Sequence, residues 1–225
     1  LKITLPVLKI PNGTMEAVKW LALVSMTIDH ANRFFFHPPF SSAYCIGRLA
    51  MPLFAFILAY NLARPNALSH GLHLRVMSRL LIFGVLATPA YMTMRHLQLI
   101  YPLNIMFSLA VSTAAIYFYE LGGYLKKTIA LWIVVIGGFF VEYNWVGIGL
   151  CLLSWFLCRN PSIPVLGAWL LSYALLVQRN GNSWALLTIP ILLLATKIDL
   201  KIPRIRYIFY VFYPLHLTIL YFLTI

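Results

Sequence analysis

An aspartate followed at once by a histidine lies inside the first membrane-length apolar stretch of the chain, in Trp20-Leu21-Ala22-Leu23-Val24-Ser25-Met26-Thr27-Ile28-Asp29-His30-Ala31-Asn32-Arg33. Ionisable groups at bilayer depth cost several kcal/mol unless they are paired or hydrated, so those that occur there usually mark chemistry or a pathway. The aspartate is conspicuous because the acidic residues are few: Glu16, Asp29, Glu120, Glu142 and Asp199. Histidine suits proton transfer, since its ordinary pKa of about 6.5 lets it take and release a proton near neutral pH. His30 and His216 fall within apolar segments, whereas His37, His70, His73 and His96 fall in loops or at segment edges and read as solvated. For His216 a backbone carbonyl or a neighbouring tyrosine is an equally good account.

Asp29 and Arg33 stand four apart and share a helical face, while Asp29 and His30 point about 100° apart and do not face each other. Asp29 is therefore neutralised by Arg33, or by Arg48 across a helix gap, which leaves His30 free to turn toward a cavity. The competing account is a polar cluster that only fixes helix packing. Lys19 precedes His30 by an axial distance of about 16 Å, roughly half the hydrocarbon thickness. A phosphate held at Lys19 would present an extended arm at His30, and Arg75 and Arg79, also four apart, add to a polyanion site. Membrane topology accounts for all three cations equally well. No two histidines share ligand spacing within a segment, so no metal site is expected. Cys45, Cys151 and Cys158 form neither a metal nor a disulfide pattern and read as packing residues.

The elements that must position these groups follow from composition. The chain has 225 residues, 62% of them hydrophobic and 10% charged, with a mean hydropathy of +0.86. That excludes a water-solvated surface and predicts an all-α, polytopic transmembrane helical bundle in a single domain over 1–225, with 1–14 as an amino-terminal cytoplasmic segment. The net charge of +12 is scattered between apolar segments and forms no aromatic-interleaved face, so nucleic acid is not an expected partner and membrane lipids are. The start Leu1-Lys2-Ile3-Thr4-Leu5-Pro6 lacks the pattern of a cleavable signal peptide, so the first span is expected to serve as the insertion signal.

Apolar runs bounded by Pro, Gly, Asn and charge predict nine helices, near 15–36, 45–63, 76–94, 102–121, 127–141, 144–158, 163–178, 183–197 and 207–225. The fifth, sixth and eighth are short for a span. Alternation places Lys2, Lys9, Lys19, Arg64, Arg75, Arg79, Lys126, Lys127, Arg159, Lys197, Lys201, Arg204 and Arg206 on one side, and Arg33, Arg48, Arg95 and Arg179 on the other. By the positive-inside rule the amino terminus is cytoplasmic and the carboxyl terminus external. Asp29, His30, Arg33, Arg48, Asn104, Glu142 and Tyr143 then gather toward the external side. His216, ten residues beyond Arg206 and about 15 Å along a helix, falls near the midplane.

Five strings carry a resemblance: Thr27-Ile28-Asp29-His30-Ala31-Asn32-Arg33, Ile46-Gly47-Arg48-Leu49-Ala50-Met51-Pro52-Leu53-Phe54-Ala55, Asn104-Ile105-Met106-Phe107, Tyr143-Asn144-Trp145-Val146-Gly147-Ile148 and Phe212-Tyr213-Pro214-Leu215-His216-Leu217. In this order they resemble the TraX family of conjugative pilin acetylases, from about residue 16 to the end. The spacing of Lys19 and His30 also resembles the Arg/Lys-x10-His signature of broader membrane acyltransferases. The resemblance implies a multi-pass protein of the bacterial inner (cytoplasmic) membrane. It would move an acetyl group from cytoplasmic acetyl-CoA to the amino-terminal amine of a pilin or another small membrane-associated protein, without a metal. His30 would be the general base, and Arg48 or Asn104 the oxyanion donor. Asp29 would balance charge and hold the arginine, His216 would touch the pantetheine or thioester, and Lys19, Arg75 and Arg79 would hold the phosphates. Arg33, Glu142 and Tyr143 would meet the acceptor.

Two other classes accommodate the same residues. A proton-coupled secondary transporter would use buried Asp, His and Arg as a relay. A noncatalytic pilin assembly factor would use Gly137-Gly138 and Gly147-x-Gly149 for close helix contact and would tolerate loss of His30.

Overall fold

Helix boundaries fall where proline, glycine and asparagine interrupt the apolar runs. In the computed structural model, which describes residues 5–36, 40–205 and 207–223, the elements are α1 (Asn12–Phe35), α2 (Ser41–Gly47), α3 (Ala50–Leu62), α4 (Leu72–Met94), α5 (Ile105–Glu120), α6 (Tyr124–Phe140), α7 (Asn144–Arg159), α8 (Ile163–Asn180), α9 (Thr188–Ala195) and α10 (Ile208–Phe222). Lys2, His37 and Arg206 lie outside the described residues. Helices α2 and α3 run on as one rod, Ser41–Leu62, and a 3-10 turn at Trp184–Leu187 leads into α9 to make Trp184–Ala195. The described residues thus form nine helical rods, as the apolar runs predict, and the fold is all-helical.

Two rods, Ser41–Leu62 and Leu72–Met94, are long and apolar enough to cross a membrane. The apolar helices Ile105–Glu120, Asn144–Arg159, Trp184–Ala195 and Ile208–Phe222 are shorter. Helix α4 begins four residues before the expected 76, because Gly71 takes a left-handed conformation at φ 62° and lets the helix start at Leu72.

Helix α1 packs against α2, α3 and α10, while α4 packs against α5 and α10, and α3 against α7. Two apolar cores result. One joins Met15, Val18 and Ala22 of α1 to Phe56 of α3, Leu150 and Trp155 of α7, and Trp169 and Tyr173 of α8. The other joins Met26 of α1 to Val76, Leu80 and Tyr91 of α4, Met106 of α5, and Tyr213 and Leu217 of α10. Phe54, Leu58, Leu72 and Ile105 pack against both. Outside the helices, Leu103 and Glu142 are tied backbone to backbone: Leu103 N–H donates to Phe140 and Glu142 N–H to Leu103, each at 2.8 Å.

Candidate active site

Asp29 is buried on α1, and its Oδ2 accepts from Arg48 at 2.5 Å and from Arg33 at 3.3 Å. Both arginines considered from spacing therefore bind the one carboxylate. Two features bring Arg48 there. Asn32, buried one turn further along α1, pins the return to α2 with both ends of its amide, donating to the Phe40 carbonyl at 2.9 Å and accepting from Phe40 N–H at 2.8 Å. Gly47 then crosses so close to α1 that a Cβ on it would stand 2.3 Å from the Asp29 Cβ. Arg48 is held further by its Nε on the Tyr44 carbonyl at 3.2 Å and by its guanidinium 4.2 Å from the centre of the Tyr44 ring.

His30 and His216, 186 residues apart in the chain, meet with Nδ1 of the first 2.7 Å from Nε2 of the second and their ring planes 4° from parallel. The direction of this bond follows from the next one. Nδ1 of His216 stands 2.7 Å from the Phe212 carbonyl, which can only accept, so that nitrogen carries the hydrogen. In a neutral ring Nε2 of His216 is then a lone pair, and it accepts from Nδ1–H of His30. The free lone pair of the couple is Nε2 of His30, whose ring lines a cavity. Such a pair supplies a base whose tautomer is set by a second residue, itself set by the backbone.

The cavity at His30 has a volume of about 430 Å³ and is lined by Asp29, Arg33, Tyr44, Arg48, Arg95, Glu142, Tyr143 and Arg179 among others. Glu142 stands in the turn between α6 and α7, where burial pushes its carboxyl above the usual carboxylate range and Arg95 opposes the shift. Tyr143, next to it, has the uncommon φ of +64° and lies with its ring 5.6 Å from the Arg179 guanidinium.

A second cavity of about 460 Å³ opens at the Lys19 end of α1. Lys19, Arg64, Arg75, Arg79 and Arg204 line it, above an apolar stretch that includes Leu58, Leu80 and Leu109. Lys19 pairs with Glu16 at 2.5 Å, and Arg79 lies over Tyr207 at 4.7 Å. Met26, Phe54, Ile105 and Tyr213 line both cavities, so the basic one and the histidine one adjoin.

Most site residues expected from the sequence are thus brought together: Asp29, His30, Arg33, Arg48, Glu142 and Tyr143 in one cavity, and Lys19, Arg75 and Arg79 in the other. Three expectations are corrected. His216 lines neither cavity; its Nε2 faces His30 because α10 packs on α1, so it stands behind His30 instead of on a cavity wall where a thioester arm would lie. Asn104 also lines neither, and its amide is spent: Oδ1 caps α5 by accepting Met106 N–H at 3.1 Å, and Nδ2 donates to the Gly84 carbonyl at 2.8 Å. His73 is 1% exposed and stands 2.9 Å from Glu120, since the early start of α4 turns it inward. Arg64, Arg95, Arg179 and Arg204 went unassigned because, as isolated cations between apolar runs, they carry no signal beyond topology. Asn32 sits in a quoted string, yet its pinning contact depends on a loop geometry that spacing does not disclose.

The arrangement defines a class: an all-helical bundle with a histidine pair at an arginine-lined cavity that adjoins a basic one. The chain belongs to the TraX family, whose model, described as TraX protein, matches residues 14–224. It is also similar to the uncharacterized protein RP591 of Rickettsia prowazekii (strain Madrid E), at 30% identity over 106 residues. That match takes in 47% of this chain and 37% of RP591, so the chain covers well under half the length of that relative. No solved structure matches the chain.

Proposed function

We propose that the protein is a multi-pass acetyltransferase of the bacterial inner membrane, moving an acetyl group from cytoplasmic acetyl-CoA to the amino-terminal amine of a pilin subunit. Its membership of a conjugation-related, pilin-associated family supports the acceptor. The single observation that carries the chemistry is the abutment of the two cavities at Met26, Phe54, Ile105 and Tyr213. A polyanionic nucleotide suits the cluster of Lys19, Arg64, Arg75, Arg79 and Arg204, and the apolar residues beside it include the four that also line the His30 cavity.

Bound acetyl-CoA supplies an activated acyl carbonyl. The amine lone pair forms the new N–C bond while Nε2 of His30 takes the proton that the nitrogen must lose. His216 holds His30 in the tautomer that leaves Nε2 free. Arg48, fixed by Asp29 and Tyr44, lies in the same cavity and meets the charge that develops on the carbonyl oxygen. When the C–S bond breaks, His30 returns its proton to the departing thiolate, which leaves the protein as it began.

The test is vectorial. Protein in sealed vesicles receives acetyl-CoA outside, with a pilin amino-terminal peptide trapped inside. Acetylation of the trapped peptide by the wild type and not by His30→Ala is the expected result. Peptide efflux that needs no CoA, with no acetylation, would replace the reading with a transporter.

A further inference from the structure

Four guanidiniums line the histidine cavity, those of Arg33, Arg48, Arg95 and Arg179, against the two carboxylates of Asp29 and Glu142. Asp29 takes both Arg33 and Arg48 on one oxygen. Among the described residues neither Arg95 nor Arg179 has a carboxylate within ion-pair distance, and Glu142 has no cation within it. Arg95 ends α4 and is half-buried, while Arg179 is exposed in the last turn of α8, on the rim where Tyr143 backs it. A cavity so lined is positive as a whole. A lone ammonium is repelled from it, and nothing in a simple amine calls for two arginines that have no carboxylate within ion-pair distance.

We infer that Arg95 and Arg179 form an anion subsite, and that the acceptor carries an acidic group close to the amine it presents to His30. This deepens the acyl-transfer reading and rests on it for the fate of the amine. The anion draws the acceptor in and pairs with the guanidiniums, while the surrounding positive charge favours the neutral, nucleophilic form of the amine. The acceptor is a peptide whose amino-terminal residues include Asp or Glu, in line with the acyl-transfer reading; an aminophospholipid headgroup, in which an amine and a phosphate lie side by side, is the competing occupant that the test must separate.

Binding and turnover are measured in the same samples, with the full chain in nanodiscs. The probes are short peptides with a free amino terminus and a carboxyl-terminal fluorophore, one with Asp at the second and third positions and one with Asn there. Nanodiscs with and without phosphatidylethanolamine form the lipid arm. The acidic peptide is expected to bind about tenfold more tightly than its neutral twin, a preference that falls toward onefold in Arg179→Gln and Arg95→Gln and is kept in Arg95→Lys. Arg179 is exposed, so its variant keeps the test valid should Arg95→Gln fold poorly. Mass analysis then reads acetylation of peptide and lipid separately. Acetylated phosphatidylethanolamine, lost in Arg179→Gln, overturns the peptide acceptor and gives the subsite to the lipid. Equal binding of acidic and neutral peptides, with no lipid product, overturns the anion subsite even where acetylation proceeds. An acidic preference without any acetylation supports the subsite and sinks the transferase reading instead.

Discussion

At the scale of single residues, the bond between His30 and His216 decides which nitrogen of His30 is free. A base that takes its proton on Nε2 must keep Nδ1 protonated, and His216 is the group that enforces this. Replacing His30 with Ala should lower acetyl transfer at least about 100-fold. His216→Phe should lower kcat with little change in KM, and His216→Gln, whose amide oxygen stands near the lost Nε2, should recover part of it. Steady-state kinetics on the three variants checks the order. A His216→Phe variant with unchanged kcat would reduce the pair to packing. Asp29 makes a separate prediction. Asp29→Asn leaves the buried Arg48 without its counter-charge, a loss of about 3–5 kcal/mol that a thermal melt in detergent should register as a large drop in Tm.

Between residue and molecule stand the elements that aim these groups. Gly47 allows α2 to cross α1 at Asp29, and Gly47→Ala would drive a Cβ into that contact. Overpacking of this kind costs about 1–3 kcal/mol, and here it also moves Arg48, so activity per folded molecule should fall with stability. Asn104→Ala separates the two roles considered for that residue. As a helix cap it should cost about 1 kcal/mol in stability and leave kcat of the folded protein unchanged, whereas an oxyanion donor would show the reverse. The cap had a signal in the sequence, an Asn directly before an apolar run, but the same residue type also suits an oxyanion hole and spacing does not choose between them. The nine helical segments were legible because Pro, Gly and charge punctuate long apolar runs. The depth of His73 was not, since four residues of helix start decide whether it faces solvent or Glu120.

On the scale of the whole molecule, the feature that matters is a pair of adjoining cavities, one basic and one arginine-lined, that share Met26, Phe54, Ile105 and Tyr213 as lining. No stretch of sequence contains it. The four residues come from α1, α3, α5 and α10, and only the packing of those helices makes them neighbours. The same holds for the histidine pair, whose members belong to the first and last helices. What the sequence carried was the chemistry in each cavity: Asp29 and His30 in an apolar stretch, and Lys19 about 16 Å along the same helix. Added bulk at the shared lining should separate the two cavities. Ile105→Trp is expected to preserve acetyl-CoA binding, read by calorimetry, while reducing transfer, whereas unimpaired transfer would mean that the acyl arm takes another route.

The central claim, acetyl transfer to a pilin amine with His30 as base, is met most directly by intact-mass analysis of the pilin from the same host. The pilin is co-expressed with the wild-type protein, with His30→Ala, or with neither. A gain of one acetyl group with the wild type alone is the predicted result. An unshifted mass in all three samples, with the wild-type protein present and folded, would contradict it.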